Sequence, residues 1–136
     1  MKVKLDEGAK MPVRVHDTDA GLDLYALESG SLPAHGYRTF RTGVHIELPH
    51  CCCGLLVSRS GLNSKCGITS TGLIDEGYKG EILVTLHNHS SWPYLVAQGD
   101  KISQLVILPV CYVTLELVDD IPCGARGNNG FGSSGR

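Results

Sequence analysis

Long apolar runs are missing from this sequence: no stretch approaches the ~20 residues a helix needs to cross a bilayer. Helical periodicity is nearly absent too, which sets aside bundles and coiled coils. Aromatic residues make up only 6% of the chain, so a ring outside an apolar run asks for a reason. Excess charge of either sign is lacking. The formal net charge is −2 over 136 residues and no basic block stands out, so the electrostatic footprint of a nucleic-acid binder is not supported. A bound polyanion would have to be held by a few placed cations and by backbone N–H groups. The N-terminal stretch MKVKLDEGAK carries charge where a secretory leader needs an apolar segment. The expectation is a soluble, cytoplasmic chain whose partners are neither nucleic acid nor membrane.

Cysteine is present, at positions 51, 52, 53, 66, 111 and 123, but no CxxC pair occurs. A zinc site is therefore weakly supported. Adjacent Cys51, Cys52 and Cys53 suit a strand better than a disulfide, and the six read as reduced structural thiols.

A chain of 136 residues fits one domain. A domain of this size buries roughly two thirds of the surface its unfolded form exposes. Short apolar or alternating runs recur between Gly, Pro, Asn and Ser clusters. They predict strands at 2–5, 22–27, 37–41, 44–48, 52–57, 82–87, 101–108 and 113–118. Only SGLNSKC, 60–66, suits a helix, with Ser60 as an acceptable N-cap. Many short strands with this punctuation predict an all-β barrel or sandwich over 1–122. From Cys123 to Arg136 the composition turns to Gly, Asn and Ser, which reads as a mobile arm.

Five stretches combine Gly with polar or charged residues: AGLDLYA, SRSGLNSK, GLIDEGYKGEI, GDKISQLVI and RGNNGFGSSG. In the second, Arg59 offers a guanidinium fork for phosphate oxygens. Ser60 adds a hydroxyl, and the N–H groups of Ser60, Gly61 and Leu62 would be free at a helix N-terminus, which favours an anion. The plainer reading is a capped helix beside an exposed Arg. The third stretch reads as a β-hairpin with its tip near Glu76–Gly80. Asp75 would enter that tip as a candidate general base, with the Tyr78 ring beside it. The plainer reading is a turn-forming Asp and a surface Tyr. In the fourth, Ser103 and Gln104 interrupt alternation, and a polar Gln104 in an apolar strand must find a partner. In the arm, Gly127, Gly130, Gly132 and Gly135 allow close backbone approach to a ligand. Arg126, Ser133 and Ser134 offer phosphate contacts, and Phe131 a face to stack on a base. Such an arm can close as a lid; a plain disordered terminus would not account for a Phe among the glycines.

In this order the five stretches resemble the motifs of the trimeric dUTPase family (dUTP diphosphatases), over about residues 18–135. The resemblance implies a distorted, jelly-roll-like β-barrel subunit and a homotrimer with three shared active sites, each closed by an arm from another subunit. It implies hydrolysis of dUTP to dUMP and pyrophosphate, which keeps uracil out of DNA and supplies dUMP for dTMP synthesis. Asp75 matches the aspartate that activates the attacking water. Tyr78 matches the tyrosine under the deoxyribose that leaves no room for a 2′-hydroxyl. The backbone around Leu73, Ile74 and Leu83 matches the groups that read the uracil edge. Arg59, Ser60 and Gly61 match phosphate contacts, and Gln104 a polar contact near the α-phosphate. Arg126 matches the arm arginine on the γ-phosphate, Phe131 the cap on uracil, and Gly132, Ser133 and Ser134 the phosphate-wrapping loop. Asp23 matches an aspartate that supports Mg²⁺ through water.

The departures are small. Lys79 stands where the family often has Arg, Gly77 where some members have Asp, and Ser134 where Thr is usual. Some relatives place an Asn before the third motif to contact uracil. Thr69 or Ser70, or the backbone alone, takes that part here. Two other readings belong beside this one. A dCTP deaminase would use a glutamate on the base ring, with Glu81 or Glu76 as candidates. In a chain of viral or phage source, working inside a host cell, dUTP could switch the binding of a protein partner.

Overall fold

The computed structural model describes residues 1–124. The elements are β1 (Lys2–Leu5), β2 (Gly21–Tyr25), β3 (Gly30–Leu32), β4 (Tyr37–Arg41), β5 (Val44–Glu47), β6 (Cys52–Val57), α1 (Ser60–Cys66), β7 (Ile68–Ile74), β8 (Leu83–Asn88), β9 (Tyr94–Val96) and β10 (Lys101–Pro109). Six strands run in the order β2-β10-β6-β7-β8-β4, and β1-β5 and β3-β9 form two small flanking pairs. The strand pairings are antiparallel. The fold is all-β with one short helix, as the alternation predicted. Among the described residues no helix is long and apolar enough to cross a membrane.

The core lies inside this curled sheet. Leu24, Phe40, Ile68, Ile82, Leu86 and Leu105 are among its most deeply buried side chains. In β8 the inward face is Val84, Leu86 and Asn88, and Leu83, Thr85 and His87 point out, the period-2 pattern of a half-buried strand. β10 does not alternate so strictly. Its register against β2 shifts between Lys101 and Ser103. A bulge of this kind turns two successive residues toward the same side, so Ile102 and Ser103 are both buried. This explains the interruption at Ser103 and Gln104 in the sequence.

Several details differ from expectation. Strands β3 and β9 are too short, at three residues each, for alternation to mark them. Segment 113–118 forms no strand: Leu115 and Leu117 are 90% and 101% exposed, and no described strand edge pairs with them. Among the described residues its alternation has no ladder to join. The sequence marks no strand over 68–72, because the inward positions Ser70 and Gly72 of β7 are small or polar and hide the period. Ser70 is buried but satisfied, its hydroxyl 2.9 Å from that of Ser103 and its N–H donating to Ser58 Oγ at 2.8 Å. The helix N-cap is Arg59 rather than Ser60, with an extended backbone and no capping side chain. At the other end Gly67 takes a left-handed conformation, φ 64°, that closes the helix.

Candidate active site

Two clefts carry the polar residues singled out above. The first, about 650 Å³, is lined by residues of the 15–23 stretch with Arg59, Lys101 and Gln104. At its floor sits Asp23, only 2% exposed. Because Arg59 is the extended residue before α1, its side chain runs back over β2, and its Nε donates to Asp23 Oδ1 at 3.2 Å. Lys101 Nζ lies 2.7 Å from Asp23 Oδ2. Gln104, paired with Asp23 across β10 and β2, donates from Nε2 to Asp23 Oδ1 at 3.3 Å. One buried carboxylate therefore gathers two cations and an amide. Gln104 has the partner that its place in an apolar strand demanded. Lys101 was missed; its signal was a cation inside the GDKISQ stretch, three residues before Gln104.

Breaking this cluster has a defined cost. Asp23→Ala leaves Arg59 and Lys101 without their shared counter-charge. Removing one partner of a fully buried pair costs about 3–5 kcal/mol. Arg59 and Lys101 are about one third exposed and can turn to water. The expected loss is therefore about 2 kcal/mol, read from the denaturant midpoint.

The second cleft, about 200 Å³, is lined by Leu73, Ile74, Asp75, Tyr78, Glu81 and Leu83. It exists because the β7–β8 hairpin splays. The two strands pair only at Ile68↔Asn88, Thr69↔His87 and Ser70↔Leu86. Beyond that point β7 pairs outward with β6, at Leu55↔Leu73 and Gly54↔Ile74, and β8 pairs outward with β4, at Arg41↔Leu83. The facing backbone edges near Leu73 and Leu83 have no ladder between them. Peptide groups on such an edge seek a hydrogen-bonding partner.

Asp75 is exposed at the mouth of this cleft, and its carbonyl accepts the Tyr78 N–H at 3.0 Å. The Tyr78 hydroxyl donates to the carbonyl of Glu81 at 2.9 Å, and its ring lies over Gly80, where a Cβ would come within 2.4 Å of the phenol oxygen. Thr69 and Ser70 are not in this cleft. Thr69 Oγ1 meets His89 Nε2 at 2.8 Å, and Ser70 faces the interior. Ser60 and Gly61 sit exposed on the first turn of α1, next to Arg59 but lining neither cleft. Arg126, Phe131, Gly132, Ser133 and Ser134 lie outside the described residues.

The two glutamates of the third stretch are committed elsewhere. Glu81 takes Arg41 Nε at 3.1 and 3.0 Å and the Gly43 N–H at 2.8 Å. Glu76 meets His50 Nδ1 at 2.9 Å and accepts from the Cys51 N–H at 3.0 Å and the Tyr112 hydroxyl at 2.8 Å. The His50 and Tyr112 bonds hold the Glu76 carboxyl below the usual carboxylate range. The same carboxylate pushes the Tyr112 phenol up to about 12. Neither glutamate has the free carboxylate that a base acting on a nucleobase ring would need.

A family model described as dUTPase matches residues 7–135. The chain is 44% identical over 138 residues to the deoxyuridine 5'-triphosphate nucleotidohydrolase of Tropheryma whipplei (strain Twist), covering 97% of this chain and 93% of that protein. The chain belongs to the dUTPase family. Among solved structures, this dUTPase-family chain superposes on a mutant Staphylococcus bacteriophage 80alpha dUTPase with dUpNHpp at a TM-score of 0.93. The identity is 32%, covering 99% of this chain and 98% of that one. A mutant dUTPase from phage phi11 of S. aureus, described as revealing the coordination of a structural Mg(II) ion, matches at a TM-score of 0.82. It is 31% identical and covers 88% of this chain and 96% of that one. In this dUTPase-family chain, no group of three or more His, Cys, Asp or Glu is gathered for a metal among the described residues. The Asp23 oxygens already face two cations.

Proposed function

We propose that this chain hydrolyses dUTP to dUMP and pyrophosphate, with Asp75 orienting and deprotonating a water for in-line attack at the α-phosphorus. The observation that carries this reading is the splayed hairpin: an open backbone edge between Leu73 and Leu83, with Asp75 and Tyr78 at its mouth. A carbonyl on that edge accepts from uracil N3–H and an N–H donates to O4. Cytosine reverses both, and a site built for one edge rejects the mispaired one by as much as ~10⁴. Arg59 and Gln104 in the other cleft, with Arg126 and the hydroxyls of the 123–136 arm, stabilise charge on the departing pyrophosphate. Asp23 is the positioning residue for Arg59 and Gln104. A route from it to a metal through water would share oxygens already paired with cations. Mg²⁺, the family's cofactor, would supply charge neutralisation on the phosphate oxygens.

Among the described residues, the base cleft and the phosphate cleft share no lining residue. This supports a homotrimer in which each site is completed by neighbouring copies. The exposed apolar alternation of 113–118 and the arm beyond it are the segments available to cross between them. The reaction is placed in the cytoplasm, or inside a host cell for a phage or viral source. There a dUTP-switched protein partner would survive the loss of turnover.

Hydrolysis in ¹⁸O-water tests the point of attack. The expected result is label in dUMP. Label in pyrophosphate would move the attack to the β-phosphorus and remove Asp75 from its assigned role.

A further inference from the structure

Glu81 is tied down at both ends. Its carboxylate accepts three N–H···O contacts from the β4–β5 turn: Arg41 Nε reaches both oxygens and the Gly43 N–H reaches one. Its carbonyl accepts the Tyr78 hydroxyl. The turn holds the next residue too. Thr42 Oγ1 donates to the Ile82 carbonyl at 2.6 Å, and the Ile82 N–H donates to the Val44 carbonyl at 2.8 Å. Arg41 is itself held from a third element, its NH2 donating to Asp6 at 3.2 Å. Asp6 also meets His45 Nε2 at 3.2 Å, and the other nitrogen of that ring lies 3.2 Å from the Lys79 carbonyl.

The Tyr78 ring lines the second cleft at the hairpin tip. It is 45% exposed, and Gly80 beneath it offers no side chain to pack against. A phenol on an open hairpin tip would sample other rotamers unless its oxygen were held. Among the described residues, the hydrogen bond that holds it ends on the Glu81 carbonyl.

We propose that Arg41 and Glu81 are positioning residues for sugar selectivity: the Asp6–Arg41–Glu81 chain fixes the Tyr78 ring so that it cannot swing away from a 2′-hydroxyl. This rests on the reading of Tyr78 as the residue under the deoxyribose. The ion pair acts on substrate choice through the ring it holds. It sets where the ring stands, and the ring excludes ribose. The β4–β5 turn thereby takes part in choosing the substrate.

The test is kcat/KM for dUTP and for UTP in wild type, Arg41→Gln, Arg41→Lys, Glu81→Gln and Tyr78→Phe, each confirmed as a folded trimer. Arg41→Gln and Glu81→Gln should each lower the dUTP-to-UTP ratio about tenfold or more, mainly by lowering KM for UTP. Arg41→Lys should recover part of the ratio. Tyr78→Phe, which removes only the hydroxyl, should lower the ratio by a similar factor. Adding Arg41→Gln to it should lower the ratio no further, as expected for residues acting through one contact. Equal loss on both substrates with an unchanged ratio would mean a merely structural pair and would overturn the proposal. An unchanged ratio in Tyr78→Phe would overturn it even if the Arg41 and Glu81 variants failed to fold. A wild-type enzyme that treats dUTP and UTP alike would overturn the reading of Tyr78 itself, a failure visible before any variant is made.

Discussion

Asp75→Asn is expected to fold, assemble and bind dUTP while turning over about 10²–10⁴-fold more slowly, the usual worth of a positioned general base. The substitution keeps size and polarity and removes only the ability to take a proton. Little else should change. Asp75 is exposed, and the ion pairs among the described residues do not include it. Its backbone carbonyl still accepts the Tyr78 N–H, so the tip keeps its shape. The neighbouring acids cannot substitute, since Glu76 is bound by His50, Cys51 and Tyr112, and Glu81 by Arg41 and Gly43. Single-turnover rates with direct measurement of dUTP affinity separate chemistry from binding. Near-normal turnover in a trimeric Asp75→Asn protein would remove Asp75 as the base.

Truncation before Arg126 should leave a folded trimer whose turnover is lower by about 10³-fold or more, the scale of removing an arginine that stabilises phosphoryl-transfer charge. The argument is one of chemistry in the sequence. RGNNGFGSSG pairs a guanidinium and two hydroxyls with an aromatic face on a glycine backbone, and a closing segment of that composition would act on phosphates and base at once. Among the described residues the buried apolar side chains lie between Leu24 and Leu105. Thermal unfolding should therefore change little. Full turnover in the truncated trimer would make the arm dispensable.

The parts of the fold that were legible are those where one face is apolar and the other is not. Strands 37–41 and 52–57 and helix 60–66 appear with the bounds their patterns predicted. The parts that were not legible have physical reasons. β7 hides its inward face behind Ser70 and Gly72, residues tolerated there because Ser58 and Ser103 satisfy one and Leu56 packs close to the other. Segment 113–118 has a strand's alternation but no partner strand among the described residues, so pattern alone misled. At the site, residue types pointed to Arg59, Asp75, Tyr78 and Gln104, and the structure gathers them in two clefts. What no spacing revealed was the long-range pairing. Arg41 reaches Glu81 across 40 positions and Gln104 reaches Asp23 across 81, distances in sequence that only the sheet order closes.

The most direct measurement is pyrophosphate and ammonia release from dUTP, dCTP, dTTP and UTP in the presence of Mg²⁺. The account predicts pyrophosphate from dUTP, little from the other three nucleotides and no ammonia. Ammonia from dCTP, or pyrophosphate released equally from all four, would contradict it.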